Sequence, residues 1–203
     1  MVPSQQHQHV CEFRIWISLD FINVMDYDFN GWPWTTKTAN NASLNDGTTN
    51  RVTNSIDYYL SQGISALKIN MGIPTYGHTW VLSSSNTGYN APASGPGAAG
   101  YATGEEGVLT YYEICLAIQN NGWTKVDATQ DNGPYAYSAA AAGATWTGYD
   151  DVTSTLIKLD FIKAQGLGGA MVWDVSMDDF GNLCGEGYNP LMTTISKSLG
   201  ISL

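Results

Sequence analysis

The chain has 203 residues, enough to bury roughly 70% of its unfolded surface in one core or a core with an appended domain. Only 13% of residues are charged, against 22 glycines, seven tryptophans and twelve tyrosines, a composition that excludes a disordered tail and fits a loop-rich globular protein with aromatic surfaces. A formal charge of −10, with eight Lys and Arg thinly spread, excludes the usual footprint of nucleic-acid or anionic-membrane binding and favours a neutral ligand.

No stretch reaches the roughly 20 consecutive apolar residues of a membrane span. The opening MVPSQQHQHVCEFRIWISLDF places polar and charged residues where a signal peptide has its apolar centre. Residues 1–18 show no pattern that joins them to the rest of the chain and stand as an undetermined leader. They hold the only close histidine pair, His7 and His9, so no metal site is expected.

From Leu19 the pattern is regular. FINVM reads as a buried strand, and Gly31 to Asn50 as a long polar loop. VTNSIDYYLSQG carries an apolar helical stripe at Val52, Ile56, Tyr59 and Leu60, closed by Gly63. ALKINMGIP is the next strand, completing a parallel βαβ unit. After His78 come TWVL, a Gly/Ala/Pro/Ser-rich stretch from Ser83 to Gly104, the helical VLTYYEICLAIQNNG and short Tyr- and Trp-bearing strands to Tyr149: an inserted α+β subdomain. Asp150-Asp151 caps a helix whose core side is expected at Val152, Leu156, Leu159, Phe161 and Ile162, ended by Gly166. GGAMVWDV is the third buried strand, and PLMTTISKSL a last helix opened by Pro190. The division is therefore leader 1–18, an α/β unit of 19–78 and 150–203, and an insertion of 79–149.

Three cysteines allow one internal pair. Cys115, on the predicted helix, and Cys184, in a Gly-rich loop, are the partners such a pair would take, with Cys11 left over; the alternative is three reduced thiols in a cytosolic protein. Asn41-Ala42-Ser43 is a glycosylation sequon in a polar loop. GPGAAG at 95–100 fits a dinucleotide fingerprint by letters, but no strand precedes it and no cofactor is expected.

The three apolar runs end alike, on Met25-Asp26-Tyr27-Asp28, Tyr76-Gly77-His78 and Trp173-Asp174. Parallel strands gather chemistry at their carboxyl ends, so these tips are expected to converge on one pocket. The plainer reading is that Tyr27 and Trp173 fill a core, that His78 is a satisfied loop residue and that Asp178-Asp179 brace a loop.

The YD-bearing strand end, PTYGH, YYEIC, the Trp-Thr-Gly-Tyr-Asp-Asp run at 146–151 and GGAMVW followed by Asp178-Asp179-Phe180 resemble family 18 glycoside hydrolases, in the manner of animal chitinases and chitinase-like lectins. The resemblance runs from about Leu19 to the end. It implies the sixth, seventh and eighth strands of a (β/α)8 barrel, the carboxy-terminal part of that fold, with the insertion between the last two. It also implies chitin or chito-oligosaccharides as partner, an extracellular setting, and hydrolysis of β-1,4-linked N-acetylglucosamine in which the sugar's own acetamido oxygen attacks the anomeric carbon.

Carried over on that resemblance, Tyr27 orients the acetamido group, Asp28 supports it, Met25 and Trp173 line and floor the reacting sugar's subsite, and Tyr76, His78 and Glu105 contact neighbouring sugars. The family's general acid lies in a D-x-x-D-x-D-x-E run. This sequence contains none, nor the Ser-x-Gly-Gly stretch of the third strand, so the chain alone is expected to be inactive, as a truncated chitinase or as a chitinase-like lectin. Asp26 replaces the usual Thr between Met and Tyr, and Trp32-Pro33-Trp34 replaces a simpler Gly-x-Trp. Three parallel strands with two open edges further predict a marginal chain that self-associates.

Overall fold

The computed structural model describes residues 16–129 and 132–201. His7, His9 and Cys11 lie outside them. Trp16, assigned from sequence to the leader, does join the rest: its ring packs edge-on against Tyr59 with centroids 5.9 Å apart. The Lys68 ammonium secures the adjoining turn by donating to the Leu19 carbonyl at 2.7 Å.

β1 (Ile22–Val24), β2 (Ile69–Pro74) and β9 (Gly169–Trp173) form a three-stranded parallel sheet in the order β1-β2-β9. Helix α1 (Val52–Ser61) connects β1 to β2, and α3 (Val152–Gln165) leads into β9. Alternation along the strands sends Ile22, Val24, Ile69, Met71 and Ile73 to one face. There they share a core with Val52 and Ile56 of α1, Leu159 and Ile162 of α3 and Ile195 of α4 (Pro190–Ser198). The opposite face, bearing Phe21, Met25 and Trp173, is exposed.

Between β2 and α3 stands an antiparallel unit of six strands. β3 (Tyr76–Leu82), β4 (Ala93–Pro96), β5 (Val108–Thr110), β6 (Thr124–Val126), β7 (Tyr135–Tyr137) and β8 (Thr145–Gly148) pair in the order β4-β3-β8-β7-β6, with β5 on β3. This sheet starts at Tyr76, ahead of the expected boundary at 79, because the chain turns at Thr75 and Tyr76 already pairs with Thr110. Trp80 and Trp146, both fully buried, meet at 5.5 Å in its centre, and each indole N–H finds a carbonyl, Thr35 at 2.8 Å and Thr87 at 2.9 Å. The Trp80 bond ties the 31–50 loop to this unit.

Helix α2 (Tyr111–Asn120) opens on a capping box in which the Thr110 side chain accepts from the Glu113 amide and Glu113 returns to the Thr110 amide. Cys115 of α2 is disulfide-bonded to Cys184, with Cα atoms 6.0 Å apart across a sequence separation of 69. A closed loop of that length stabilises by about 4 kcal/mol in the chain-entropy account. The 178–189 loop so anchored is braced from within. Asp178 accepts from the Leu191 and Met192 amides at the start of α4, and Asp179 from the Leu183 and Cys184 amides, both aspartates being fully buried.

Asp151 caps α3 in a capping box with Ser154. The buried side of α3 differs from the expected one: Thr155, Lys158, Leu159 and Ile162 face inward, while Leu156 is 43% exposed. The reason is a buried ion pair, Lys158 with Asp150, which turns a lysine into the core at the position where an apolar stripe would run. No helix among the described residues is long and apolar enough to cross a membrane.

Candidate functional site

At the carboxyl ends of β1 and β2 the chain makes a close approach. A Cβ on Gly72 would lie 2.5 Å from the Val24 carbonyl and 2.9 Å from the Tyr27 ring, so only glycine lets the strand end and Tyr27 sit there. Tyr27 is thereby buried against Tyr76, ring centroids 6.2 Å apart, and among the described residues its hydroxyl has only the Met171 sulfur as acceptor, at 3.8 Å. Burial first, then the carboxylates of Asp28 and Asp26, raise its pKa.

Asp28 adopts a left-handed backbone, φ 59°, a conformation that Asp tolerates better than most residues. The Asn41 side-chain carbonyl fixes it by accepting the Asp28 amide at 2.7 Å, and the Asn41 backbone carbonyl accepts the next amide, Phe29, at 3.0 Å. The Asp28 carboxylate then receives two donors on one oxygen, the Tyr76 hydroxyl at 2.5 Å and His78 Nε2 at 2.8 Å. Burial opposes ionisation of Asp28, but the bonds from His78 and Tyr76 outweigh it and hold its pKa below the ordinary value. Burial, with the Asp28 carboxylate behind it, drives the Tyr76 hydroxyl far above its ordinary pKa.

His78 is held at both ring nitrogens. Nδ1 faces the Gly107 carbonyl at 3.2 Å and Nε2 faces Asp28. Both ring nitrogens therefore face oxygen acceptors, a backbone carbonyl on one side and a carboxylate on the other. The same Gly107 carbonyl accepts the Thr79 amide at 2.8 Å, which pins the 99–107 loop to β3.

Met25 and Trp173 lie on the exposed face, 70% and 54% exposed. Trp173 pairs with Pro74 across β2 and β9, and its carbonyl accepts the Thr75 amide at 3.0 Å, which ties the end of β9 to the turn between β2 and β3. Of the seven residues singled out from sequence, Tyr27, Asp28, Tyr76 and His78 form one hydrogen-bonded and aromatic cluster, and Met25 and Trp173 flank it. Glu105 does not join. It is exposed, with its amide on the Thr103 hydroxyl at 3.2 Å, because the loop reaches the cluster through Gly107 instead.

The sequence pattern conceals the roles of two residues. Asn41, which reads as a glycan acceptor, is fully buried and positions Asp28, so the folded chain offers no acceptor at the sequon; nothing in the Asn-Ala-Ser letters distinguishes the two roles. Asp26 points away from the open face and is fully buried, both carboxylate oxygens lacking a hydrogen-bond partner among the described residues. Desolvation pushes its pKa up to about 7; the Ser55 hydroxyl, the Gly72 amide and the Lys158 charge temper the rise, yet Ser55 and Gly72 fall short of bonding geometry. The three-residue group Cys115, Asp179 and Cys184 has the proximity of a metal site, but its sulfurs are spent on each other.

A carboxyl whose folded pKa exceeds its unfolded value adds stability that is whole below the unfolded pKa and drains as pH rises. For Asp26 the window runs from 3.8 to about 7 and the loss across it is roughly 4 kcal/mol. Asp26→Asn removes the titration, so thermal melts of the variant are expected to lose most of the decline that the parent shows between pH 4 and 8; parallel profiles would refute this.

The family model described as glycosyl hydrolases family 18 matches residues 5–178. Human chitinase-3-like protein 2 is 43% identical over 191 residues, 90% of this chain and 47% of that protein. Probable chitinase 10 of Drosophila melanogaster is 43% identical over 187 residues, covering 89% of this chain and 8% of the relative. Among solved structures, human YKL-39, described as a pseudo-chitinase with retained chitooligosaccharide binding properties, matches with a TM-score of 0.83 at 40% identity, over 92% of this chain and 52% of that one. Catalytic domain 2 of the Ostrinia furnacalis Group II chitinase matches at 0.84 and 33% identity, over 91% of this chain and 49% of its own. The chain spans about half the length of human chitinase-3-like protein 2 and of these two solved structures. With its strand-end cluster and a family match over most of its residues, the chain belongs to family 18 of the glycosyl hydrolases.

Proposed function

We propose that the chain is the sugar-holding part of a chitinase-type glycoside hydrolase acting on β-1,4-linked N-acetylglucosamine polymers, and that by itself it binds chito-oligosaccharides without cleaving them. The observation that carries this reading is the pairing of an exposed tryptophan, Trp173, with the Tyr27–Asp28–Tyr76–His78 cluster at the same strand ends. An exposed indole face takes the apolar face of a pyranose ring. Tyr27, with only a weak sulfur acceptor, keeps its hydroxyl available for an acetamido group, and Asp28 stays ionised beside it to stabilise positive character as that group attacks the anomeric carbon. Met25 lines the same subsite, while Glu105, exposed on its loop, is left for more distant sugars.

Cleavage needs a proton donor to the leaving oxygen, worth roughly 10²–10⁴ in rate, and the 203 residues contain no D-x-x-D-x-D-x-E run to supply it. That same lack, with the likeness to YKL-39, favours a second reading: a chitinase-like lectin. In the first reading β1, β2 and β9 are the sixth to eighth strands of an eight-stranded barrel, and 79–149 an insertion walling the groove. The Cys115–Cys184 bond supports an oxidising, extracellular setting for either.

Tryptophan fluorescence titrated with chitotetraose is expected to change saturably, with no reducing sugar released from colloidal chitin. An unchanged signal from a folded chain removes the binding assignment, and turnover by the purified chain removes the inactive one. Among the described residues β1 and β9 each carry an unpaired edge, so in this reading sedimentation velocity is expected to give dimers or larger species; a sharp monomer boundary with a cooperative melt would overturn that.

A further inference from the structure

A cavity of about 330 Å³ opens between the 30–48 loop and the antiparallel unit, and none of the seven residues singled out from the sequence is in its wall. It adjoins their cluster through Trp34, whose ring stands edge-on to His78 at 5.5 Å and is 57% exposed. Trp34 and Tyr89 give the cavity aromatic surface, Asn90 and Asn132 give it amides, and Lys37 and Asp46 give one charge of each sign.

The wall is built in advance of any ligand. Thr38 pairs with Ala91 through its backbone amide and its hydroxyl, with Thr38 N to Ala91 O at 2.9 Å and Ala91 N to Thr38 Oγ1 at 2.9 Å. Asn90 between them donates its own amide to Thr38 O at 2.8 Å and is held left-handed at φ 63°. That conformation is uncommon outside glycine, and here it sets an asparagine side chain at the cavity wall with no hydrogen-bond partner among the described residues. Tyr89 is fixed by its hydroxyl on the Gly133 carbonyl at 2.6 Å and by the Tyr135 ring at 5.1 Å. Asn132 spends its carbonyl on the Ser43 hydroxyl at 3.2 Å, which leaves its NH2 as a donor.

This chemistry selects its ligand by exclusion. An anion meets one lysine offset by Asp46 on a chain of net charge −10. A divalent cation meets one carboxylate, one of whose oxygens already takes the Thr48 amide and hydroxyl, at 3.0 and 2.6 Å. An apolar molecule would strand the amides. A neutral ring with hydroxyls around its rim and C–H groups on its faces satisfies both the amides and the aromatic rings.

We propose that this cavity is a second carbohydrate site, which takes one neutral pyranose unit of an oligosaccharide lying past Trp34 from the strand-end cluster. The choice of chitin-type sugar rests on the function proposed above; the site itself does not.

The test is a chitotetraose titration of the 15N-labelled 203-residue chain, alone and as Trp173→Ala and Asn90→Gly. Glycine keeps the left-handed backbone at 90 and removes only the amide side chain. Shifts are expected at Asn90, Asn132 and Thr36 that persist in Trp173→Ala. In Asn90→Gly the affinity read from those signals is expected to fall about fivefold, the worth of one neutral hydrogen bond. Shifts confined to Met25, Tyr27 and Trp173 overturn this site and leave the strand-end reading standing. Shifts confined to the cavity support the site and remove the strand-end reading. No shift anywhere in a folded chain removes both.

Discussion

One carboxylate oxygen of Asp28 receives the Tyr76 hydroxyl and the His78 ring, and through that oxygen the parallel sheet is joined to the antiparallel one. Asp28 belongs to the tip of β1, while both donors belong to β3, the central member of the second sheet. Neither sheet alone orients these groups. The Asp28 backbone must turn left-handed to present its carboxylate, Asn41 must be buried to hold that turn, and Gly72 must lack a side chain for Tyr27 to lie against Tyr76. His78 passes the constraint on to Gly107, so a loop from the far edge of β5 answers to the same carboxylate.

The fold treats its buried carboxylates in opposite ways. Asp150 is paired with Lys158 deep in the core, and Asp178 and Asp179 are surrounded by backbone amides. Asp26 has neither remedy. Two residues from an ionised Asp28, it faces the helices instead of the cluster, and desolvation brings its titration close to neutrality. One strand end thus carries a carboxyl suited to stay neutral and a carboxylate suited to stay charged, separated by Tyr27, whose hydroxyl both push upward in pKa. The protonation pattern of the site is set by which side of a short strand each residue faces.

Apolar runs and turn residues revealed the parallel strands and the flanking helices because each run is short, nearly continuous in apolar residues and bounded by turn signals. The convergence of Tyr27, Asp28, Tyr76 and His78 was legible from the repeated aromatic and acidic ending of those runs. Several features were not, and for one reason: each depends on a partner distant in sequence. Asn41 reads as a surface amide until Asp28 needs its carbonyl, Lys158 breaks the α3 stripe only because Asp150 waits opposite it, and Glu105 looks like a groove residue until the loop turns inward at Gly107 instead. Local letters encode a residue's own preference; these three are set by what the other sheet or helix brings.

The contacts that orient the cluster come from described residues of this chain: Asn41 for Asp28, Gly107 for His78, Gly72 for Tyr27 and Thr75 for Trp173. In the proposed reading these residues orient a bound ring, whereas protonation of a leaving oxygen needs an acid that is not among them. Holding and cutting are separable in the proposed reading because they draw on different strands. In that reading the aromatic and amide surface offered to a sugar continues past Trp34 into the second cavity, so affinity would be distributed along a path of rings and neutral donors instead of concentrated at the point where a bond would break.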